Sequence, residues 1–368
     1  MKGLFIRSNT TGSHQTKVLF SCFIRVNWTT LVLLLLITVP LLVNAQSTTN
    51  NQKTSFADPS FYIIDSLELN KLSKEDKSLL KYKLTKFHKS KSDTSKIDLL
   101  EEIIDDLVDE SWEKYQYYQH DLIVQALKKK KSKKEKLKLK MSLGTAINNI
   151  GYILNKQGKL SKSLEYYIES LKIREEIHHN EGIATNLLNI GSIYDRQEDY
   201  KKAIEYYSKA LEIYKKIDNS NGVGMCINNI GTVLEHQGKL DESLDYYADA
   251  LSIYKEVGND YGVGIILNNI GTIHEQKGYL KKALEYYFES FKIRKKSGEK
   301  RGLSIVMNNI GSVYLELGNQ AKAKEYLTQA LQLSKESGYI NQVEKSASNL
   351  YDFYKSQNNY KEALKMHE

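Results

Sequence analysis

At 368 residues, with 41% apolar and 27% charged side chains, the chain is long enough for two ordinary domains or one repeat array and too apolar for a disordered tail. Pro40 and Pro59 are its only prolines, so little interrupts the hydrogen-bond ladder of a helix. The formal net charge of +8 is concentrated in two places: residues 1–45 carry four Lys/Arg and no acid, and Lys128–Lys140 (KKKKSKKEKLKLK) carries nine Lys and one Glu, which leaves the remainder slightly acidic.

The N-terminus reads as an export signal over residues 1–45. Lys2, Arg7, Lys17 and Arg25 precede the apolar run Leu31–Val43, and Val43-Asn44-Ala45 forms a small-residue cleavage site before Gln46. With Val26–Thr30 added, the run is long enough for an uncleaved anchor. In either case the basic end stays cytoplasmic, and the rest is exported to the periplasm or held at the inner membrane. If the leader is removed, Cys22 goes with it and Cys226 is solitary, a small core residue with no disulfide partner. Gln46–Thr54 is a polar tether within a linker and irregular segment spanning 46–95.

Residues 96–140 form a degenerate helical capping pair, from Ile97–Val108 and Trp112–Leu127, followed by the Lys-rich run. That run is either a solvated helix face or a contact to an anionic lipid head-group surface or acidic partner. No aromatic residues interleave it, which argues against nucleic acid as a partner.

Beyond it the sequence repeats. Gly151, Gly191, Gly231, Gly271 and Gly311 are 40 residues apart with no insertion or deletion, the signature of a solenoid. In the second unit Ile183, Leu187, Ile190 and Tyr194 mark one helical stripe, and Ala203, Tyr207, Ala210 and Leu211 mark another. Between the two helices Gly158, Gly238, Gly278 and Gly318 supply a left-handed helix end, where the second unit has Glu198. Gly182, Gly222, Gly262 and Gly302 recur near the start of each first helix. Gly191 and its copies let the second helix approach closely, and Tyr167, Tyr207, Tyr247 and Tyr287, with Leu327 in the fifth unit, are bulky groups that face small residues such as Ala203 and Ala210 and fill the interhelix space.

The run Ile190-Gly191, Tyr194, Ala203, Tyr207, Ala210 resembles the signature of the tetratricopeptide repeat, and the likeness covers Met141–Tyr339. It implies an all-α fold, a right-handed α-solenoid superhelix of antiparallel helix pairs. There are five units over 141–340 and an incomplete sixth over 341–368, begun by Leu350, Tyr354 and Ala363. The 40-residue period departs from the family's 34 and resembles the extended repeats of kinesin light chains. The aromatic after the motif glycine is replaced by Leu154, Leu234 and His274, which makes His274 a packing residue. No polar terminal cap follows the sixth unit, so the sequence is expected to be cut short or to continue in a partner chain beyond Glu368.

In this family the first helices line a concave wall. At about 100° per residue, Thr185, Leu188, Ser192, Asp195 and Arg196 fall opposite the packing stripe, with Asn189 on the edge of that face. Candidate groove residues are therefore Asn148, Asn149, Asn189, Ser192, Asn228, Asn229, Thr232, Glu235, Asn268, Asn269, Thr272, Glu275, Asn308, Asn309 and Ser312. An amide both donates and accepts, so a row of them can pair with the backbone of an extended peptide. The resemblance to kinesin-light-chain repeats implies that role, and the alternative is that the asparagines hold neighbouring repeats together. The Lys/Arg set that a carboxylate clamp needs is reduced to Lys156 and Arg196, so a neutral or basic segment is expected over a terminal carboxylate.

No catalytic constellation, metal site or cofactor is expected. The glycines follow the repeat and not phosphate-loop spacing, and His178-His179 lacks ligands at metal spacing. Two functions stay open. One is an exported, non-catalytic scaffold for a peptide or protein. The other is an extracytoplasmic sensor fragment, because the arrangement resembles the outer half of bacterial sensor histidine kinases and related regulators.

Overall fold

The computed structural model describes residues 74–106, 112–337 and 340–366. The expected leader over 1–45 and the tether after it lie outside these residues. The chain divides into two compact units, Met1–Tyr82 and Lys83–Glu368. In the first, the described residues are the opening turns of helix α1 (Lys74–Lys89). This helix corrects the expectation of an irregular segment up to residue 95. Leu80, Leu84 and Phe87 recur at i, i+4 and i+7 and are buried, the pattern that makes a helix worth forming.

The second unit continues with α2 (Asp93–Asp106) and α3 (Trp112–Lys128). Six helix pairs then follow: α4 (Lys133–Lys156) with α5 (Leu160–Glu176), α6 (Asn180–Arg196) with α7 (Tyr200–Lys216), and α8 (Ser220–His236) with α9 (Leu240–Glu256). After these come α10 (Asp260–Gln276) with α11 (Leu280–Ser297), α12 (Lys300–Glu316) with α13 (Gln320–Ser337), and α14 (Ile340–Ser356) with the short α15 (Tyr360–Leu364). All regular structure among the described residues is helical, so the chain is the α-solenoid expected. The period has a simple origin. Two 17-residue helices and two three-residue turns, as in α6 and α7, account for 40 residues.

The Lys-rich run is divided by the fold. Lys128 ends α3, and Lys133 opens α4, a 24-residue helix that begins eight residues before Met141. Ser132 caps α4 reciprocally with Glu135, each satisfying a backbone N–H of the other.

The turns behave as the glycines require. Gly158, Gly238, Gly278 and Gly318 have φ of 74–77°, and the residue after each donates back into the preceding helix, as Lys239 N–H does to the Leu234 carbonyl at 2.9 Å. Glu198 adopts the same conformation, with φ 60°, against the preference of an L-residue. Asp199, Asn219, Asn259, Glu299 and Asn319 cap the helices that follow the turns.

Packing within a pair centres on the motif glycine. A Cβ on Gly271 would lie 2.6 Å from the Tyr287 ring, and one on Gly311 would lie 2.6 Å from Leu327. The four tyrosines of this row are buried, so they are the space-filling groups expected. The small residues beside them do more than make room. Ser163 and Ser243 donate to the carbonyls of Gly151 and Gly231 at 2.7 Å, tying second helix to first. A second set of glycines serves packing between units. Gly182, Gly222, Gly262 and Gly302 make way for Arg174, Tyr214, Tyr254 and Arg294 of the preceding unit.

Where the residue three beyond the motif glycine carries a ring, the aromatic just before the buried row of the second helix stacks on it. Tyr206 stacks on Tyr194 at 5.4 Å, Tyr326 on Tyr314 at 5.9 Å, and Tyr286 on His274 at 5.3 Å. His274 is thus a buried packing residue. Burial, helped by Lys282 and Lys277, holds its pKa below the usual value. Cys226 is fully buried in the core of units two and three, and desolvation pushes its thiol up to about 12, so it is an inert core residue.

Successive first helices pack directly on one another, α4 on α6, α8 on α10, α10 on α12 and α12 on α14. The side-chain bonds that cross units 41 residues apart all join first helices. First helices therefore form one continuous inner wall.

Candidate functional site on the inner wall

Two rows of polar side chains run along this wall, and both follow the repeat. The first row is the asparagines. Asn189 donates to Asn148 Oδ1 at 2.8 Å, Asn269 to Asn228 Oδ1 at 3.0 Å, and Asn309 to Asn268 Oδ1 at 2.9 Å. The second asparagine of each unit thus bonds the first asparagine of the unit before it, side chain to side chain. The sequence leaves two roles open for these residues, and the geometry gives the stacking role a definite form: a ladder of amide rungs between repeats.

The ladder has one gap. Leu188 stands where the second unit needs an asparagine opposite Asn229, and it is buried in the core rather than presented on the wall. Asn229 instead accepts from Asn228 at 3.1 Å within its own unit, and Asn149 accepts from Asn148 at 3.5 Å in the same way. At the far end Asn308, only 2% exposed, donates to Ser346 at 2.8 Å while its own amide oxygen has no donor. The half-buried Asn189, Asn269 and Asn309 each spend an N–H on the ladder and keep an amide oxygen that accepts no bond from the described residues.

The second row lies one turn further along each first helix. Thr232 and Thr272 bond back to the carbonyls of Asn228 and Asn268 at 3.1 Å and meet the hydroxyls of Tyr247 and Tyr287 at 3.1 and 3.2 Å. Those phenols then donate to carboxylates, Tyr247 to Glu235 at 2.8 Å and Tyr287 to Glu275. The rings pass over the motif glycines and bring their hydroxyls out at the inner wall. Burial pushes all four tyrosines of this row up, Tyr167 to about 12 and Tyr207, Tyr247 and Tyr287 further, so they act as donors at any ordinary pH. In the fifth unit both partners change together: Leu327 replaces the tyrosine and Leu315 replaces the acid, and both join one apolar cluster. Ser192 bonds Tyr207, whereas Ser312 faces no phenol because its unit carries Leu327.

The carboxylates also form rungs across units. Arg196 donates to the Asn155 carbonyl at 2.9 Å and to its side chain, His236 meets Asp195 at 2.9 Å, and Gln276 donates to Glu235 at 2.8 Å. The next pair in register is Glu275 with Glu316, two acids with no donor between them. Burial raises the Glu275 carboxyl and the Glu316 charge adds to the rise, against the Tyr287 hydrogen bond.

Behind the first rungs sits a cation that sequence reasoning passes over. Arg174 is 6% exposed and donates to the Gly182 carbonyl at 2.8 Å and to Asn186 Oδ1 at 2.7 Å. Asn186 in turn donates to Asn148 Oδ1 at 3.3 Å, which links the guanidinium to the ladder. Burial lowers Arg174 to about 10, so it stays charged near neutral pH, and among the described residues no carboxylate lies within ion-pair distance. Its counterpart Arg294 pairs with Glu299. The signal in the sequence is that Arg174 and Arg294 occupy a position where the middle units have Tyr214 and Tyr254.

The Lys-rich run is partly spent on structure. Lys129 and Lys131 reach Asp93 at 3.0 and 3.3 Å, Lys138 reaches Asp98 at 2.6 Å, and Lys140 pairs with Glu176. Burial alone would raise the Asp93 carboxyl, but the two lysine hydrogen bonds outweigh it and hold it below the usual range. Lys128, Lys130, Lys133, Lys134 and Lys136 are exposed and make no ion pair among the described residues. Among the described residues no group of His, Cys, Asp and Glu is placed to hold a metal, and no helix is long and apolar enough to cross a membrane.

No protein of curated function matches the chain. Solved structures do. The Rap conjugation gene regulator of plasmid pLS20, in complex with the Phr* peptide, is 18% identical with a TM-score of 0.56 over 78% of this chain and 82% of its own. Aspartyl phosphate phosphatase F from Bacillus subtilis is 16% identical with a TM-score of 0.56 over 86% and 78%. A putative kinesin light chain from Podosopora anserina with nearly identical TPR-like repeats is 12% identical with a TM-score of 0.42 over 53% and 95%. At these identities the likeness is one of fold. The tetratricopeptide repeat family model matches residues 142–216, 225–296 and 262–336, which together span a little over half of the sequence. With its repeat unit, its glycine–tyrosine packing and this match, the chain belongs to the tetratricopeptide repeat family.

Proposed function

We propose that the chain is an exported, non-catalytic scaffold that holds an extended segment of a peptide or protein partner along its inner wall. The observation that carries this reading is the pair of polar rows, repeated in register. One row keeps half-buried amide oxygens at Asn189, Asn269 and Asn309, and the other presents carboxylates set in place by buried tyrosine hydroxyls. Backbone N–H groups of an extended segment need acceptors at regular intervals, whatever its side chains. The peptide-bound Rap regulator has a similar fold.

The test is panning of a random nonapeptide display library on the purified protein. Enrichment is the expected result. Capture of an enriched peptide should weaken about tenfold in the double variant Asn269→Leu, Asn309→Leu, which removes two of these free amide oxygens. The variant also loses two rungs, so circular dichroism confirms that it is folded before it is scored. A library that yields no enriched peptide sinks the reading.

The exposed lysines near α4 belong to the same proposal as a contact to an anionic lipid surface. Leu137 and Met141 are exposed on the same stretch, giving the mixed basic and apolar face that interfacial helices use. Co-sedimentation with phosphatidylglycerol vesicles, lost when Lys130, Lys133, Lys134 and Lys136 become Gln, is the expected result. Equal binding of wild type and variant removes this part.

A further inference from the structure

The rungs of the inner wall carry a charge that changes in one direction. The N-terminal rung, Asn155 with Arg196, is cationic. The following rungs, Asp195 with His236 and Glu235 with Gln276, each hold one carboxylate and one donor. The fourth, Glu275 with Glu316, holds two carboxylates and no donor, although the three rungs before it each supply one.

We propose that this wall takes a dipolar extended peptide in a single direction, its cationic end over Glu275 and Glu316 and its anionic end over Arg196. The inference rests on the peptide-holding reading above and adds the charge, direction and length of the occupant. Glu275 is held on the wall by the Tyr287 hydroxyl, and Glu316 follows it in register, so a Lys or Arg side chain or a terminal amine would supply the missing donor. At the other end the side chain of Arg196 meets amide and carbonyl oxygens of Asn155 and, among the described residues, no carboxylate, so an anionic group there would supply a counter-charge. The occupant's length follows from the spacing. Three steps separate the end rungs, and packed helices stand about 8–10 Å apart. That makes roughly 24–30 Å, which an extended chain spans with about 7–9 residues.

The panning experiment tests this through the composition of what it enriches. The expected result is Lys or Arg concentrated at one end of the nonapeptides and Asp or Glu at the other. With Glu275→Gln and Glu316→Gln together, the cationic preference should vanish and an enriched peptide should bind about tenfold more weakly, while the anionic preference stays. Arg196→Gln should do the reverse. These changes are nearly isosteric, and circular dichroism confirms that each variant is folded before it is scored. Enrichment without an end-specific charge pattern overturns the inference and leaves the peptide reading intact. So does a cationic preference that survives both Glu changes. An absence of enrichment overturns the peptide reading and this inference with it.

Discussion

Replacing Gly271 by Ala sets two effects of opposite sign against each other. In an open helix the change stabilises by about 1 kcal/mol through helix propensity. Here the new Cβ would lie 2.6 Å from two atoms of the Tyr287 ring. That ring cannot simply swing aside, since it is fully buried and its hydroxyl is tied to Thr272 and Glu275. Overpacking costs about 1–3 kcal/mol. Displacing the hydroxyl from a charged acceptor costs about 1.5–3 kcal/mol more. The net expectation is a loss of about 1.5–5 kcal/mol, read from urea denaturation of the wild type, G271A, Y287A and the double variant. In the Tyr287→Ala background the obstacle is gone, so Gly271→Ala should become neutral or stabilising by up to about 1 kcal/mol. A neutral or stabilising G271A in the wild-type background, or an equal cost in both backgrounds, would refute the glycine–tyrosine account of the repeat.

Glu198→Gly should stabilise by about 0.5–1 kcal/mol, because it relieves a left-handed residue at a turn where the other units use glycine, less the added freedom of the unfolded chain; the urea midpoint checks it. For His274 the folded state lowers the pKa, so the unfolded chain binds the proton more readily. Stability is then complete above the unfolded value of about 6.5 and declines as pH falls toward the folded one. His274→Tyr keeps the stack on Tyr286, and the stability difference between the two proteins should shift in the variant's favour on acidification; a pH-independent difference contradicts the burial argument. A double-mutant cycle on Asn228 and Asn269 should give a coupling of about 0.5–1.5 kcal/mol, and a coupling near zero would mean that the rung contributes nothing to the stack.

The repeat, its helix pairs and the role of Gly191 and its copies were legible because a strict period of 40 residues exposes every structural position several times. The left-handed turn at Glu198 was legible for the same reason, from the glycines of the other units. Helix α1 was not legible, because Leu80, Leu84 and Phe87 form a short stripe outside the repeat, with no second copy to reveal it. The asparagines could be placed on one face, but their partners could not. A rung joins residues 41 apart on neighbouring first helices, and that register depends on how repeats stack. The tyrosine hydroxyls were missed because the ring's bulk explained the residue by itself. Yet the joint change to Leu315 and Leu327 in the fifth unit was visible in the sequence as a hint that acid and phenol act together.

The central claim, that the inner wall of the stacked first helices is the binding surface, is tested most directly by site-specific photo-cross-linking. A photoreactive residue replaces Glu235 on the inner wall or Lys209 on the exposed face of α7, and an enriched nonapeptide is added. The account predicts covalent adducts from position 235, suppressed by excess unlabelled peptide, and none from position 209. Equal labelling at both positions, or labelling at 209 alone, would contradict it.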